Sequence, residues 1–212
     1  NVARSLLGDQ CSPRWTSVFS RIYDTDTRIL RSFIPFFVSI HDIGKISASF
    51  QRVSPGQHQR MVDEGFLFGK SGDLYHTQVS RNFVRYEWPE HAGSSISEVN
   101  RRALGEMSAG HHGEFISAGE MNSIKLKLRM EEPPIWMELR KTTLQVLAQH
   151  LLEMELSEIP EPPNISSAAM HLTGFTTLCD WIGSDQRFFQ PRPDLDLEEY
   201  LELSRKLADQ AV

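Results

Sequence analysis

The stretch from Asp26 to Lys45, DTRILRSFIPFFVSIHDIGK, decides the fold. Within it Ile29, Phe33, Phe36, Phe37 and Ile40 recur at three- and four-residue steps, which places them on one broad buried face of a helix. Thr25 or Asp26 is suited to cap the start, and Gly44 to end the helix after Ile43. Pro35 predicts a kink, because its ring removes a backbone donor and crowds the preceding turn. The most apolar helix of the chain therefore closes on His41-Asp42, an imidazole and a carboxylate at the edge of the core.

The flanking sequence also reads as helix. Ser47 to Arg52 predicts a short helical turn, and Pro55 to Asp73, with its four glycines, reads as a mobile loop. Helices are expected over His76–Glu87, ending before Pro89, and from Ser95 towards Gly110. Glu131-Glu132-Pro133-Pro134 predicts a break, followed by a helix from Ile135 to about Leu156. Pro160, Pro162 and Pro163 mark the next break. Ser166 to Ser184 reads as helix again. Asp196 to Ala211 reads as a last, more polar helix with acidic residues at its favourable end. No internal repeat and no run of strand alternation is visible. The expected architecture is all-α, a compact helical bundle occupying residues 1–212 as one domain.

The 40% hydrophobic and 24% charged residues are ordinary for a globular chain. The net charge of −6 counts against a free-standing nucleic-acid-binding module, so contacts to phosphate must come from a local patch or from metal ions. Cys11 and Cys179 form no CxxC pair, which argues against a disulfide framework or structural zinc and implies a reducing cytoplasm. The longest apolar run, Ser32 to Ile40, is too short to cross a membrane, and no leader is visible. The first residue is Asn1 rather than Met, which fits a chain that begins partway into a longer protein.

Phosphodiester chemistry uses metal ions to generate hydroxide and to neutralise charge on the phosphate, and borderline transition metals favour imidazole and carboxylate ligands. His41-Asp42 fits such a site, with Gly44 permitting a sharp exit and Lys45 placed to meet a phosphate; the alternative is a histidine on a helix dipole beside a solvated acid. His111-His112 sits between Gly110 and Gly113, which lets the backbone approach an ion closely; an exposed loop is the alternative. Asp180 is the lone acid of an otherwise apolar and small-residue helix, to be explained by a metal, a cap or a salt bridge to Arg187. His76 opens a helix, where a surface role serves as well. His58, His91, His150 and His171 have no partner at ligand spacing, although His171 shares the helix of Asp180. Phosphate-loop, GxSxG and HExxH signatures are all missing.

The order His41-Asp42, His76, His111-His112, Asp180 resembles the HD superfamily. More narrowly, SIHDIGKISASFQ at 39–51, SAGHHGEF at 108–115 and LTGFTTLCDWIGS at 172–184 resemble the HD nuclease domain of the CRISPR-associated helicase-nuclease of type I systems. The resemblance spans about Phe33 to Ser184. It implies an HD-domain bundle, the N-terminal part of a longer helicase-nuclease, that cuts single-stranded DNA with two divalent transition-metal ions. Manganese, iron, cobalt and nickel suit such a centre better than magnesium or zinc. Carried over by residue, Asp42 would bridge the ions, His41 and Asp180 would serve one, and His76, His111 and His112 the other. Lys45 would contact substrate phosphate. The implied partners are a superfamily 2 type helicase, fused or separate, and an RNA-guided surveillance complex, with no membrane. The family also has a metal-binding histidine just before a stretch resembling Val2–Leu7; no histidine precedes His41 here, so the resemblance implies either that this ligand lies upstream of Asn1 or that it is lacking and the ion at His41 and Asp180 is under-liganded. A phosphohydrolase of nucleotides and a catalytically silent docking domain are the rival readings.

Overall fold

The Asp26 side chain accepts a hydrogen bond from the Ile29 amide at 3.0 Å and so starts the helix around which the molecule is built. In the computed structural model, which describes residues 1–8, 13–70, 74–88, 96–192 and 194–212, that helix is α3, Thr27–Ser39. Before it come α1 (Val2–Leu6) and α2 (Arg14–Tyr23); after it come α4 (Ala48–Gln51), α5 (Pro55–Asp63) and α6 (His76–Asn82). The long helices α7 (Glu98–Gly110), α8 (Ala118–Glu131), α9 (Pro134–Leu151), α10 (Ile165–Gly183) and α11 (Leu197–Ala211) complete the bundle. Among the described residues there is no strand, as the sequence predicts.

The core forms where α3 meets its neighbours. Phe33, Phe36 and Phe37 are fully buried, each contributing roughly 1.5–3 kcal/mol of apolar burial. Phe33 packs edge-on against Tyr23 and Phe37, and Phe36 against Trp88. On the other side, Trp15 and Phe19 of α2 meet Phe175 of α10. Helix α7 packs along α10 and against α6, while α11 closes over α1. There the Asn1 amide group donates to Ser204 Oγ at 2.5 Å, which joins the two ends of the described chain.

The structure corrects several expectations. Helix α3 stops at Ser39 and not Ile43, because Ile40 and His41 turn back onto the Phe37 and Val38 carbonyls. Pro35 lies inside α3, at the interior position expected from the sequence. Pro55–Asp63, expected to be loop, is a helix with Pro55 at its first position; it buries no residue, so it leaves no apolar period to read. The helix from His76 widens at Asn82 into a π-helical turn, Phe83–Glu87, and α9 ends at Leu151, short of Leu156. Helix α8 was not anticipated from sequence, although Met121, Ile124 and Leu128 recur at helical spacing and a capping box opens it: Ser117 Oγ accepts from the Glu120 amide and the Glu120 carboxylate from the Ser117 amide. The expected boundaries at Pro89 and Ser95, together with Cys11 and His91, lie outside the described residues. No helix among those described is long and apolar enough to cross a membrane.

Candidate metal centre

Three helix ends converge beneath α3. Past Ser39 the chain tightens into a 3-10 turn, Ile43–Lys45, which presents His41 and Asp42 from one short bend. The buried Gly44 amide donates to Ser80 Oγ of α6 at 2.8 Å, pinning this bend to the helix whose first residue is His76. A Cβ at Gly44 would overlap the His76 carbonyl oxygen and lie 2.5 Å from the Ser80 amide, so close approach explains this glycine better than helix termination. Helix α7 ends at Gly110 and delivers His111 and His112, after which Gly113 turns at φ +88°. Thr177 Oγ1 on α10 donates to the His111 carbonyl at 2.8 Å, aligning α7 with the helix that carries Asp180.

The side chains meet around Asp42. Its Oδ1 lies 3.2 Å from His76 Nε2 and 3.4 Å from His111 Nε2, and its Oδ2 lies 3.4 Å from His41 Nε2. Asp180 Oδ1 is 3.7 Å from His41 Nε2, and His112 Nε2 is 3.2 Å from His76 Nε2. Ligand atoms of Asp42, His76, His111 and His112 lie within 4.8 Å of one another, as do those of His41, Asp42 and Asp180. Every sequence-predicted ligand is thus gathered into two groups that share Asp42. Lys45 Nζ contacts Asp42 Oδ2 at 2.5 Å.

Imidazole orientation is set by the backbone. His41 Nδ1 lies 2.7 Å from the Val38 carbonyl and His111 Nδ1 3.0 Å from the Ser108 carbonyl. Each Nδ1 therefore carries the proton it donates, which leaves the Nε2 lone pair facing the centre. His41 Nε2, His111 Nε2 and Asp42 Oδ1 are buried and make no hydrogen bond. Buried polar atoms without partners are costly, and a cation among them would satisfy all three. The residues present fit a divalent-metal centre.

Burial alone would raise the Asp42 pKa, but His111, His41 and His76 outweigh it and hold the carboxyl far below the usual range. Burial likewise opposes charge on His41, yet Asp180 and Asp42 push its pKa up to about 9. His41 holds the Asp180 carboxyl low, while desolvation and the neighbouring His111 and His76 lower the pKa of exposed His112.

The centre opens into a cavity of about 350 Å3 bordered by His41, Asp42, Lys45, Asp180 and the amino-terminal Asn1. Trp181, which follows Asp180 in the chain, is 71% exposed. The remaining histidines stay apart. His58 meets Phe68 edge-on, His171 bonds the Ser167 carbonyl of its own helix, and His150 is exposed. Arg187 pairs with Asp185, which leaves Asp180 to Ser184 and His41. Sequence reasoning missed Ser80 and Thr177, which position the ligands without touching the centre. Ser80 follows His76 by one helical turn, a spacing that was available to it.

Comparison with known proteins agrees with this geometry. The family model described as "Cas3, HD domain" matches residues 1–189. The CRISPR-associated endonuclease/helicase Cas3 of Thermus thermophilus is 24% identical over 207 residues. That match covers 94% of this chain and 21% of the relative, so the chain spans about a fifth of that protein. A crystal structure of a CRISPR-associated protein superposes with a TM-score of 0.80 at 26% identity, covering 99% of this chain and 24% of that one. The Thermus thermophilus Cas3 HD domain, crystallised in the presence of Ni2+, gives a TM-score of 0.69 at 22% identity, over 99% of this chain and 78% of that one. By fold, by the clustered histidines and acids, and by this match over most of its length, the chain belongs to the Cas3 HD-domain family.

Proposed function

We propose that the domain is a metal-dependent nuclease that hydrolyses phosphodiester bonds of single-stranded DNA on two divalent transition-metal ions in CRISPR interference. The observation that carries this reading is the pair of ligand groups sharing Asp42, one oxygen towards His76 and His111 and the other towards His41. Asp42 would bridge, with His41 and Asp180 on one side and His76, His111 and His112 on the other. Imidazole and carboxylate donors suit manganese, iron, cobalt or nickel better than magnesium, which prefers oxygen. When bound, the ions would supply Lewis acidity towards the phosphoryl oxygens and lower the pKa of water.

The chain's own residues orient and hold. Val38 and Ser108 fix the tautomers of His41 and His111, and the surrounding imidazoles hold the Asp42 carboxyl well below the usual carboxylate range. Lys45, 42% exposed and ion-paired with Asp42, would swing to a substrate phosphate. A superfamily 2 helicase and an RNA-guided surveillance complex are the partners we propose to feed the strand, with guide pairing supplying the sequence choice.

The test offers circular single-stranded DNA and free nucleotides to the purified chain with manganese, nickel or cobalt. Linearisation of the circle is expected, and turnover of nucleotides alone would overturn the nuclease reading. Asp42→Ala should lower cleavage by more than about a hundredfold, beyond the loss typical of an outer-sphere partner, with an unchanged helical circular-dichroism spectrum. Cleavage that survives in this variant would remove Asp42 from the centre.

A further inference from the structure

The net charge of −6 leaves few places where an anion can rest, and one of them shares no residue with the metal centre. Arg81 and Arg85 from the segment that begins at His76, and Arg102 from α7, line a pocket of about 390 Å3 with Ser166 at the start of α10. Arg81 binds Glu106 at 2.5 Å and the Ile116 carbonyl at 2.8 Å; its side chain is only 12% exposed. Arg85 and Arg101 share Glu98, at 2.7 and 2.6 Å. Arg102 is exposed. Three guanidiniums and the Glu106 carboxylate thus line the pocket, with Arg101 behind them on Glu98, and Glu120 is engaged with Ser117. The Ser167 amide is capped by Asn164 Oδ1 at 2.9 Å, and the start of α10, Ile165 and Ser166, adds the positive end of its helix dipole.

Gly105 shows that the arrangement is built. A Cβ there would lie 2.6 Å from Arg85 Cγ and 2.7 Å from Cδ, so α7 carries a helix-weakening glycine where the Arg85 stem crosses it. The pocket also has a definite place. Arg85 follows His76 by nine residues and Arg102 precedes His111 by nine, about 13 Å along each segment at 1.5 Å per residue. Ile165 precedes Asp180 by fifteen, about 22 Å on the same rise. Arg81 and Glu106, five residues from His76 and His111, form the nearer wall about 7 Å along the same segments, so the pocket extends from there towards the ends away from the ligands.

We propose that this arginine pocket binds a backbone phosphate of single-stranded DNA and anchors the strand at a distance from the cut. The identity of the strand rests on the nuclease reading above, whereas the anion chemistry does not. Such a contact sets register without reading sequence, which suits an enzyme whose choice of sequence lies elsewhere.

The experiment measures binding of a fluorescent oligothymidylate to the chain by anisotropy in EDTA across a salt series. Metal-free binding separates this proposal from the nuclease reading, which is judged by cleavage with manganese. Arg102→Glu is expected to weaken binding at least fivefold at low salt and to reduce the slope of log K against log salt by about 0.7, the loss of one single-strand phosphate contact. Gly105→Ala, which displaces Arg85, should weaken binding in the same direction. Arg28→Glu, an equal charge change on exposed α3 surface, should leave the slope as in the wild type. A wild-type chain that does not bind without metal, or equal slopes for Arg102→Glu and the wild type, would overturn the proposal. So would a variant that loses inorganic phosphate in a calorimetric titration yet keeps its oligonucleotide affinity, because the pocket would then hold a free phosphate group and not a strand.

Discussion

At Gly44 and Cys179 the centre's surroundings depend on single atoms. Adding a methyl at position 44 forces the bend that carries His41 and Asp42 away from α6, because backbone, not a flexible side chain, occupies the space. Gly44→Ala is therefore expected to cost about 1–3 kcal/mol of stability, as overpacking does. It should also weaken metal uptake, since His76 belongs to the displaced backbone; thermal melts and calorimetric metal titration read the two effects. Cys179 precedes Asp180 and borders the cavity, yet burial pushes its thiol pKa up to about 12. Ellman's reagent at pH 8 should therefore leave Cys179 unmodified in the native chain, so that no more than one of the two thiols reacts before denaturation.

At the scale of elements, a buried guanidinium ties α9 to the ligand-bearing turn. Arg140, 1% exposed, donates to the Ile46 carbonyl just past the 3-10 turn and forms a 2.7 Å ion pair with buried Glu132. Truncation leaves Glu132 buried without its partner. Arg140→Ala should cost about 3–5 kcal/mol, whereas an apolar residue of similar volume at both positions should cost much less. Urea denaturation of the single and double variants tests this. Helices with an apolar stripe or an end marked by proline, such as α3, α9 and α10, were legible from sequence. Helix α5 was not, because it buries nothing, and α8 went unread although Met121, Ile124 and Leu128 recur at helical spacing behind Ser117 and Glu120. The residues that gather at the candidate centre were all named from sequence, since imidazoles and acids at helix ends stand out in apolar surroundings. Ser80 and Thr177 went unread: the one-turn spacing of Ser80 from His76 placed it near the ligands, but the backbone group that each hydroxyl engages appears only once the fold supplies it.

For the whole molecule, the clustered centre makes stability depend on protons and on metal together. Without metal, His41 has its pKa raised to about 9, so its contribution is complete below about pH 6.5 and is lost as pH rises through about 9. Asp42 and Asp180 are depressed, so their contribution is present above the ordinary carboxylate range and fades as pH falls. Urea denaturation in EDTA should accordingly show a maximum between mildly acidic and neutral pH, with a loss on the order of a few kcal/mol towards pH 9. Added metal at a hundred times its dissociation constant should restore about 2.7 kcal/mol, seen as a higher Tm.

The distribution of the four tryptophans gives the molecule an optical property of its own. Trp88 and Trp136 are fully buried and Trp15 is packed against the core, whereas Trp181 stands in solvent beside Asp180. The red edge of the emission spectrum therefore originates almost wholly from a ring one residue from the candidate ion site. A paramagnetic ion seated there would dim that edge while sparing the blue, buried component. The domain thus carries a built-in fluorophore whose colour-selective quenching counts occupied centres without a label.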